Sequence, residues 1–470
     1  MTRSKAVIIP SALLSLAALA AATPALADAV QDAPPQARTA TTTTAARGPA
    51  AGQDLKGVVA AIEHAARPLR STDPDGGLRD LDALGRMIGG ADVVGLGEAT
   101  HGSRDFFRMK HRVFRYLVEE KGFRTFSLEL PWSSGVRIDE YVLHGKGDLR
   151  DIADDEFQGA YRIWNNQDYR NLFEWMRAYN RSHPKDPVRI MGDDMGYAGP
   201  ESYRRVTDYV ARQYPRLLGR VDELYRGLAP TTDAGTYSDA YLKLPLAERM
   251  ERAERTREVY ELLRDQRPGR GERQAHLWAV QHARTIHQMA AGYSFDVTDD
   301  AEVTKMMRMR DEVMAQNVAW WREHTGDRIL LSAHNTHVSY DSFDERYPKT
   351  QGSFLHDALG REYVSIGFTF HQGAFKAFGT EDNVIRTYRV GAAPAGSNED
   401  TLDKVRQEDY VLDMRTAPNS ARAWLAKPRL TYNIGAGWPD PQTYRIGLGK
   451  AHDILIHLND VEATEYLGTP

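Results

Sequence analysis

The chain has 470 residues, no cysteine, 41% hydrophobic residues and a net charge of −5. That length buries a large core without disulfides, and the missing thiols exclude cysteine nucleophiles, zinc–sulfur sites and iron–sulfur clusters. No basic surplus marks a nucleic-acid partner, and past the N-terminus no apolar run is long enough to cross a bilayer.

Arg3 and Lys5, an uncharged apolar run, and the triplet Ala25-Leu26-Ala27 predict a signal peptide over 1–27. The expectation is a secreted or periplasmic protein with no stable membrane insertion after cleavage. Residues 28–54, rich in Ala, Thr and Pro, read as a flexible low-complexity tether. A single catalytic domain is expected over 55–467.

Residues 92–96 read as a short buried strand, followed by a helix over 103–120 with Phe106, Met109, Val113, Phe114 and Leu117 on one side. Gly122 ends that helix, and 124–128 returns as a second strand. Strand, helix, strand at this spacing predicts a βαβ unit with parallel neighbours. A helix over 168–179 has a core stripe of Leu172, Trp175 and Met176. Further strands are expected at 188–191, 329–332 and 363–370, with weaker ones at 410–414, 430–434 and 454–458. The fold class is α/β: a mostly parallel central sheet flanked by helices. A large, mostly helical segment, about 201–325, is expected as a subdomain near the active site.

In open α/β sheets, ligands bind beyond the carboxyl ends of the strands. The first strand delivers Glu98, Thr100 and His101 there, and the second delivers Glu129 and Trp132. The third delivers Asp193 and Asp194, and the fourth His334, Asn335 and His337. Each has a bland reading, as a helix cap, a turn residue or a solvated charge, but four convergent strand ends read as one active site. There is no Gly-x-Ser-x-Gly elbow, no Walker loop and only a fragment of a dinucleotide fingerprint. What remains is imidazole beside carboxylates, which suits activation of water: histidine takes a proton from water and a carboxylate orients its ring. The same set, Glu98, His101, Glu129, His334 and His337, could instead hold a divalent metal such as zinc, although no His-Glu-x-x-His motif is present.

Several ordered blocks carry a family resemblance: GLGEATHGSRDFFRMKHRVFRYLVEEKGF, FSLE, LFEWMRAYN, MGDDM, MRMRDEVMAQNVAWW, ILLSAHNTHV and GREYVSIGFTFHQG. Together they resemble the erythromycin esterase family. The resemblance implies an α/β hydrolase that needs no cofactor, with His101 as the water-activating base and Glu98, Glu129, His334 and His337 around it. It also implies a basic residue in the first helix, matched here by Lys110. Arg310, Asp194, Trp132 and Asn335 are the expected substrate contacts, Arg310 having a structural ion pair as its alternative. The expected partner is a small-molecule ester or lactone, a macrolide macrolactone among them. Two other readings stay open: a metal-dependent hydrolase of esters or amides, and a non-catalytic exported ligand-binding protein.

Overall fold

The computed structural model describes residues 55–440 and 442–468; the expected signal peptide and tether lie outside them. Six parallel strands form the centre of a ten-stranded sheet, in the spatial order Ile454–Val461, Tyr363–Gly379, Val93–Leu96, Arg328–Ser332, Phe123–Pro131 and Arg189–Asp194. Tyr410–Asp413 and Arg67–Pro68 extend one side antiparallel. Ile385–Val390 folds back on the far half of Tyr363–Gly379, which is therefore much longer than its apolar run predicts.

The sheet is buried on both faces, so its strands read as near-continuous apolar runs. Alternation still sorts the side chains. Leu330 joins Val94, Leu96, Phe126 and Phe114 in one core, while Ile329 and Leu331 join Val93, Trp132 and Trp321 in another. The helix Arg104–Lys121 covers the first face with Phe106, Met109, Val113, Phe114 and Leu117, and stops at Gly122 in a left-handed conformation.

The first two strands are parallel, as their spacing predicts, but they are not neighbours. Arg328–Ser332 lies between them, paired to both. A crossover helix sets the sense of the returning strand, and a later strand can still enter the gap it leaves. The expected strand at 430–434 is also corrected. Only Arg429–Thr431 is extended, and it pairs with Tyr444–Ile446 in a separate two-stranded sheet. Beyond it the backbone is held elsewhere: Tyr432 N–H donates to Glu399 and Ile434 N–H to the carbonyl of Ala99.

Between the third and fourth of these central strands in chain order, six helices run from Pro200 to Thr325. They share their own apolar core, built on Val206, Val221, Leu263, Ile286, Met289 and Met306. The last helix, Asp300–Thr325, belongs to both bodies, because its second half packs Ala315, Val318 and Trp321 against the sheet. No described helix is long and apolar enough to cross a membrane.

Helix Trp132–His144 rests directly on the end of strand Arg189–Asp194. A Cβ at Gly135 would stand 2.0 Å from the backbone nitrogen of Gly192. Backbone cannot yield as a side-chain tip does, so Gly135→Ala must push helix and strand apart. The expected cost is about 1–3 kcal/mol, measured as a lower urea midpoint; an unchanged midpoint would contradict the close approach.

Candidate active site

The first strand ends in a tight loop that must pass under the long fifth strand. Gly102 makes this passage possible, since a Cβ there would stand 2.0 Å from the carbonyl oxygen of Lys376. Ser103 takes the position that starts the next helix, but its hydroxyl bonds Thr100 at 2.7 Å rather than capping the helix. This loop sets Glu98 and His101 one turn apart. His101 Nδ1 lies 2.7 Å from Glu98 Oε1 and donates to it, leaving the lone pair of a neutral ring on Nε2. Glu98 is 0% exposed and its other oxygen accepts from Lys110 Nζ, which reaches down from the helix and also donates to Ser332 Oγ at 3.0 Å. Burial pushes the Lys110 ammonium below its ordinary value, with the Glu98 carboxylate opposing that fall. The indole of Trp164 stands edge-on to the His101 ring, 5.1 Å away between centroids.

Facing this relay is a second, larger cluster. The second strand loses its regular register between Leu128 and Pro131, which brings Glu129 into the site at the sheet's edge. Glu129 Oε1 accepts from Arg310 Nη2 at 2.8 Å, and Oε2 accepts from the backbone N–H of His334 at 3.1 Å. Arg310 also grips Asp194, with Nε at 2.9 Å and Nη2 at 2.6 Å, and Tyr161 donates to the same carboxylate at 2.9 Å. His337 donates Nδ1–H to Asp311 at 2.9 Å and sets Nε2 3.4 Å from Glu129.

His334 is different. Its Nδ1 accepts the Thr336 N–H at 3.3 Å, so the proton of the neutral ring sits on Nε2. Burial above all, with the cations His337 and Lys110 acting in the same sense, holds this imidazole well below its ordinary value. Its Nε2 is buried without a partner among the described residues, beside the His101 ring at 5.0 Å between centroids.

The pocket between the two clusters is lined by His101, Glu129, Tyr161, Ile163, Trp164 and Arg310, with Ala160 and Ala436. It offers about 20 Å³ to the centre of a water-sized molecule, room for one water. Thus Glu98, His101, Lys110, Glu129, His334, His337 and Arg310 do converge. Asp194 stands behind Arg310 and positions it. Two expected substrate contacts are turned away: Trp132 packs among Trp278, Trp320 and Trp321, and both amide atoms of Asn335 are spent on the backbone of Phe368. Asp193 is also outside, buried against Ser127 and Gln351, and burial raises its carboxyl well above the ordinary range. Asp311 is a neighbour of the site that sequence reasoning left without a role. A signal existed for the helix: Arg310 shares a face with Met306, Met307 and Met314, where a solvent-facing charge is out of place.

The alternative of a bound metal does not fit these donors. Among the described residues, no three His, Asp or Glu groups are arranged to hold a cation. Glu98 is committed to His101 and Lys110, and Glu129 to Arg310 and His334.

An α/β sheet whose carboxyl edge gathers a carboxylate-held histidine beside buried polar donors defines a hydrolase. The chain belongs to the erythromycin esterase family, whose model matches residues 118–461. It is 25% identical to erythromycin esterase type II of Escherichia coli over 348 residues, covering 69% of this chain and 79% of that protein. Its fold is similar to the crystal structure of a succinoglycan biosynthesis protein, with a TM-score of 0.77, 29% identity, and coverage of 89% of this chain and 100% of that one. An erythromycin esterase mutant in its open conformation shares the fold at a TM-score of 0.64 and 18% identity, over 84% of this chain and 98% of that one.

Two tests follow from the ion cluster. Arg310→Met leaves Asp194 and Glu129 buried without their cation, and the expected loss of stability is about 3–5 kcal/mol in a denaturant titration. Wild-type stability in that variant would show the carboxylates to be satisfied without it. The second test is pH. Burial alone raises Glu129, but His337 and Arg310 overcome this and hold it well below its ordinary value of 4.5. Such a group stabilises the fold above 4.5 and loses that contribution as pH falls through its lower folded value. His337 runs the other way: burial lowers it, Asp311 and Glu129 raise it well above 6.5, and its contribution fades only as pH climbs through that raised value. The stability gap between wild type and Glu129→Gln therefore narrows as pH drops below 4.5. A gap that ignores pH would reject the pairing.

Proposed function

We propose that this protein is an exported hydrolase that cleaves carboxylic esters or lactones, macrolactones included, with water activated by His101. The observation that carries this reading is the relay Lys110–Glu98–His101, whose free Nε2 borders a pocket the size of one water.

The geometry supports a direct attack. A water in the pocket gives its proton to His101 Nε2 as its oxygen bonds the ester carbonyl carbon. Glu98, already on Nδ1, stabilises the imidazolium that forms. The negative charge moves to the former carbonyl oxygen, toward the Arg310 guanidinium on the pocket wall and the unpartnered His334 Nε2–H buried behind it, beside His101. Collapse of the tetrahedral adduct breaks the bond to the alkoxide, and His101 returns the proton to that oxygen. One water is consumed, and an acid and an alcohol leave. No covalent intermediate is needed, and the hydroxyl of Ser103 is occupied by Thr100 and the carbonyl of Ala374.

His334 is suited to the donor role because it is neutral. A charged ring would attract the oxyanion more strongly but would also compete with His101 for the water's proton. Any ester larger than the pocket enters only when Gly159–Trp164 or the Ala436 loop shifts outward, since these form its outer wall.

A panel of simple esters, lactones and macrolides should yield at least one product heavier than its substrate by one water, or split into acid and alcohol. For that substrate, His101→Ala should lower kcat by about 10²–10⁴ with the fold intact by circular dichroism, and exhaustive chelation should leave the rate unchanged. Retained turnover in His101→Ala, or loss on chelation restored by a metal, would overturn the reading.

A further inference from the structure

A second cavity, of about 310 Å³, opens toward the other end of the sheet. This is at the small end of the range for ligand pockets. It shares no lining residue with the catalytic pocket. Arg189, on its wall, begins the strand whose last residue is Asp194, so the two sites stand roughly 16 Å apart along that strand.

Half of the chain's eight tryptophans gather here: Trp132, Trp278, Trp320 and Trp321 pack edge-on or tilted against one another. Trp278 and Trp321 line the cavity itself, and the Arg189 guanidinium lies over both rings, 5.6 Å and 4.7 Å from their centroids. The charges on the wall are paired off. Asp139 accepts from Arg189 Nη2 at 2.5 Å, and Glu140 accepts from Arg205 Nη2 at 2.6 Å. The wall is therefore electrically balanced, which disfavours a charged guest, yet it alternates carboxylate acceptors with guanidinium donors.

His282 gives the cavity a hydrogen-bond donor. It is 3% exposed, lines the cavity, and accepts the Trp132 indole N–H on Nδ1 at 3.3 Å. Burial pushes its pKa down to about 3, so the ring is neutral with its proton on Nε2. That N–H has no hydrogen-bond partner among the described residues. The donor opens into the cavity, where the oxygen of a guest or of water accepts from it.

We propose that this cavity is a non-catalytic carbohydrate site that takes one neutral glycosyl unit. The apolar C–H face of the sugar ring lies against the Trp278 indole, beside the Arg189 guanidinium. One hydroxyl or ring oxygen accepts from His282 Nε2, and the remaining hydroxyls meet the Asp139–Arg189 and Glu140–Arg205 pairs at the rim. A planar aromatic guest would use the indole but leave the interleaved donors and acceptors idle. An anion would face two carboxylates. A sugar uses the whole wall.

The test is saturation-transfer NMR on the purified full-length protein with a panel of neutral methyl hexosides and methyl N-acetylhexosaminides, and indole and benzoate as controls. At least one glycoside should bind saturably, and Trp278→Ala should weaken it tenfold or more. The rim variant Glu140→Gln, which removes only a half-exposed charge, should weaken it severalfold, and both variants should keep the wild-type rate of ester hydrolysis. Absence of binding by every glycoside overturns the proposal. So does binding of indole or benzoate in preference to sugars, or glycoside binding that survives both substitutions.

Discussion

The buried carboxylate of Glu98 is the constraint around which the site is built. An ionised side chain with no solvent exposure is strongly disfavoured unless its charge is balanced and its oxygens are hydrogen-bonded. Both oxygens are used, one for the His101 ring and one for the Lys110 ammonium. The lysine makes it possible to bury the carboxylate, and the buried carboxylate holds the histidine in the tautomer that leaves Nε2 free. Removing Lys110 leaves an unpaired charge in the interior, so the stability of this region and the orientation of the His101 ring rest on the same three residues.

The second ion cluster does comparable work between parts of the fold. Arg310 comes from the helical insertion, Glu129 and Asp194 from two strands, and His337 from the turn after a third. Their charges join the last helix of the insertion to the carboxyl edge of the sheet, where apolar packing alone would leave the helix free to slide. A displacement of that helix would move Arg310, and with it the electrostatic environment of the pocket. Fold and chemistry are coupled here through one guanidinium.

In this arrangement the pocket is small and partly open. Its outer wall is the short helical turn Gly159–Trp164, held by Tyr161 to Asp194, Arg162 to the carbonyl of Asn383, and Trp164 to the carbonyl of Glu129. These are single hydrogen bonds between polar groups, each of modest strength, set against the extensive apolar packing of the sheet behind them.

Much of the catalytic half was legible in the sequence, because it is local or repeats at a strand end. Glu98 and His101 are three residues apart, Lys110 lies two turns into the next helix, and Glu129, His334 and His337 each follow an apolar run. Trp132 and Asn335 have the same position in the sequence as their neighbours, yet face away. Which way a side chain turns at the end of a strand depends on what packs there, an aromatic cluster in one case and the Phe368 backbone in the other. Strand adjacency was likewise undetermined, since Arg328–Ser332 enters between two strands some two hundred residues earlier in the chain. The sequence alone thus determined the class of fold, the strands of the sheet's centre and the chemical inventory at its edge, all of which follow from periodicity and short-range spacing. Only the tertiary structure decided that Arg310 joins Glu129 and Asp194, that His334 keeps a buried, unpartnered Nε2 among the described residues, and that the insertion leaves a tryptophan-walled cavity behind it. Those outcomes depend on burial and on contacts between segments distant in the chain, and neither is written in any one stretch of residues.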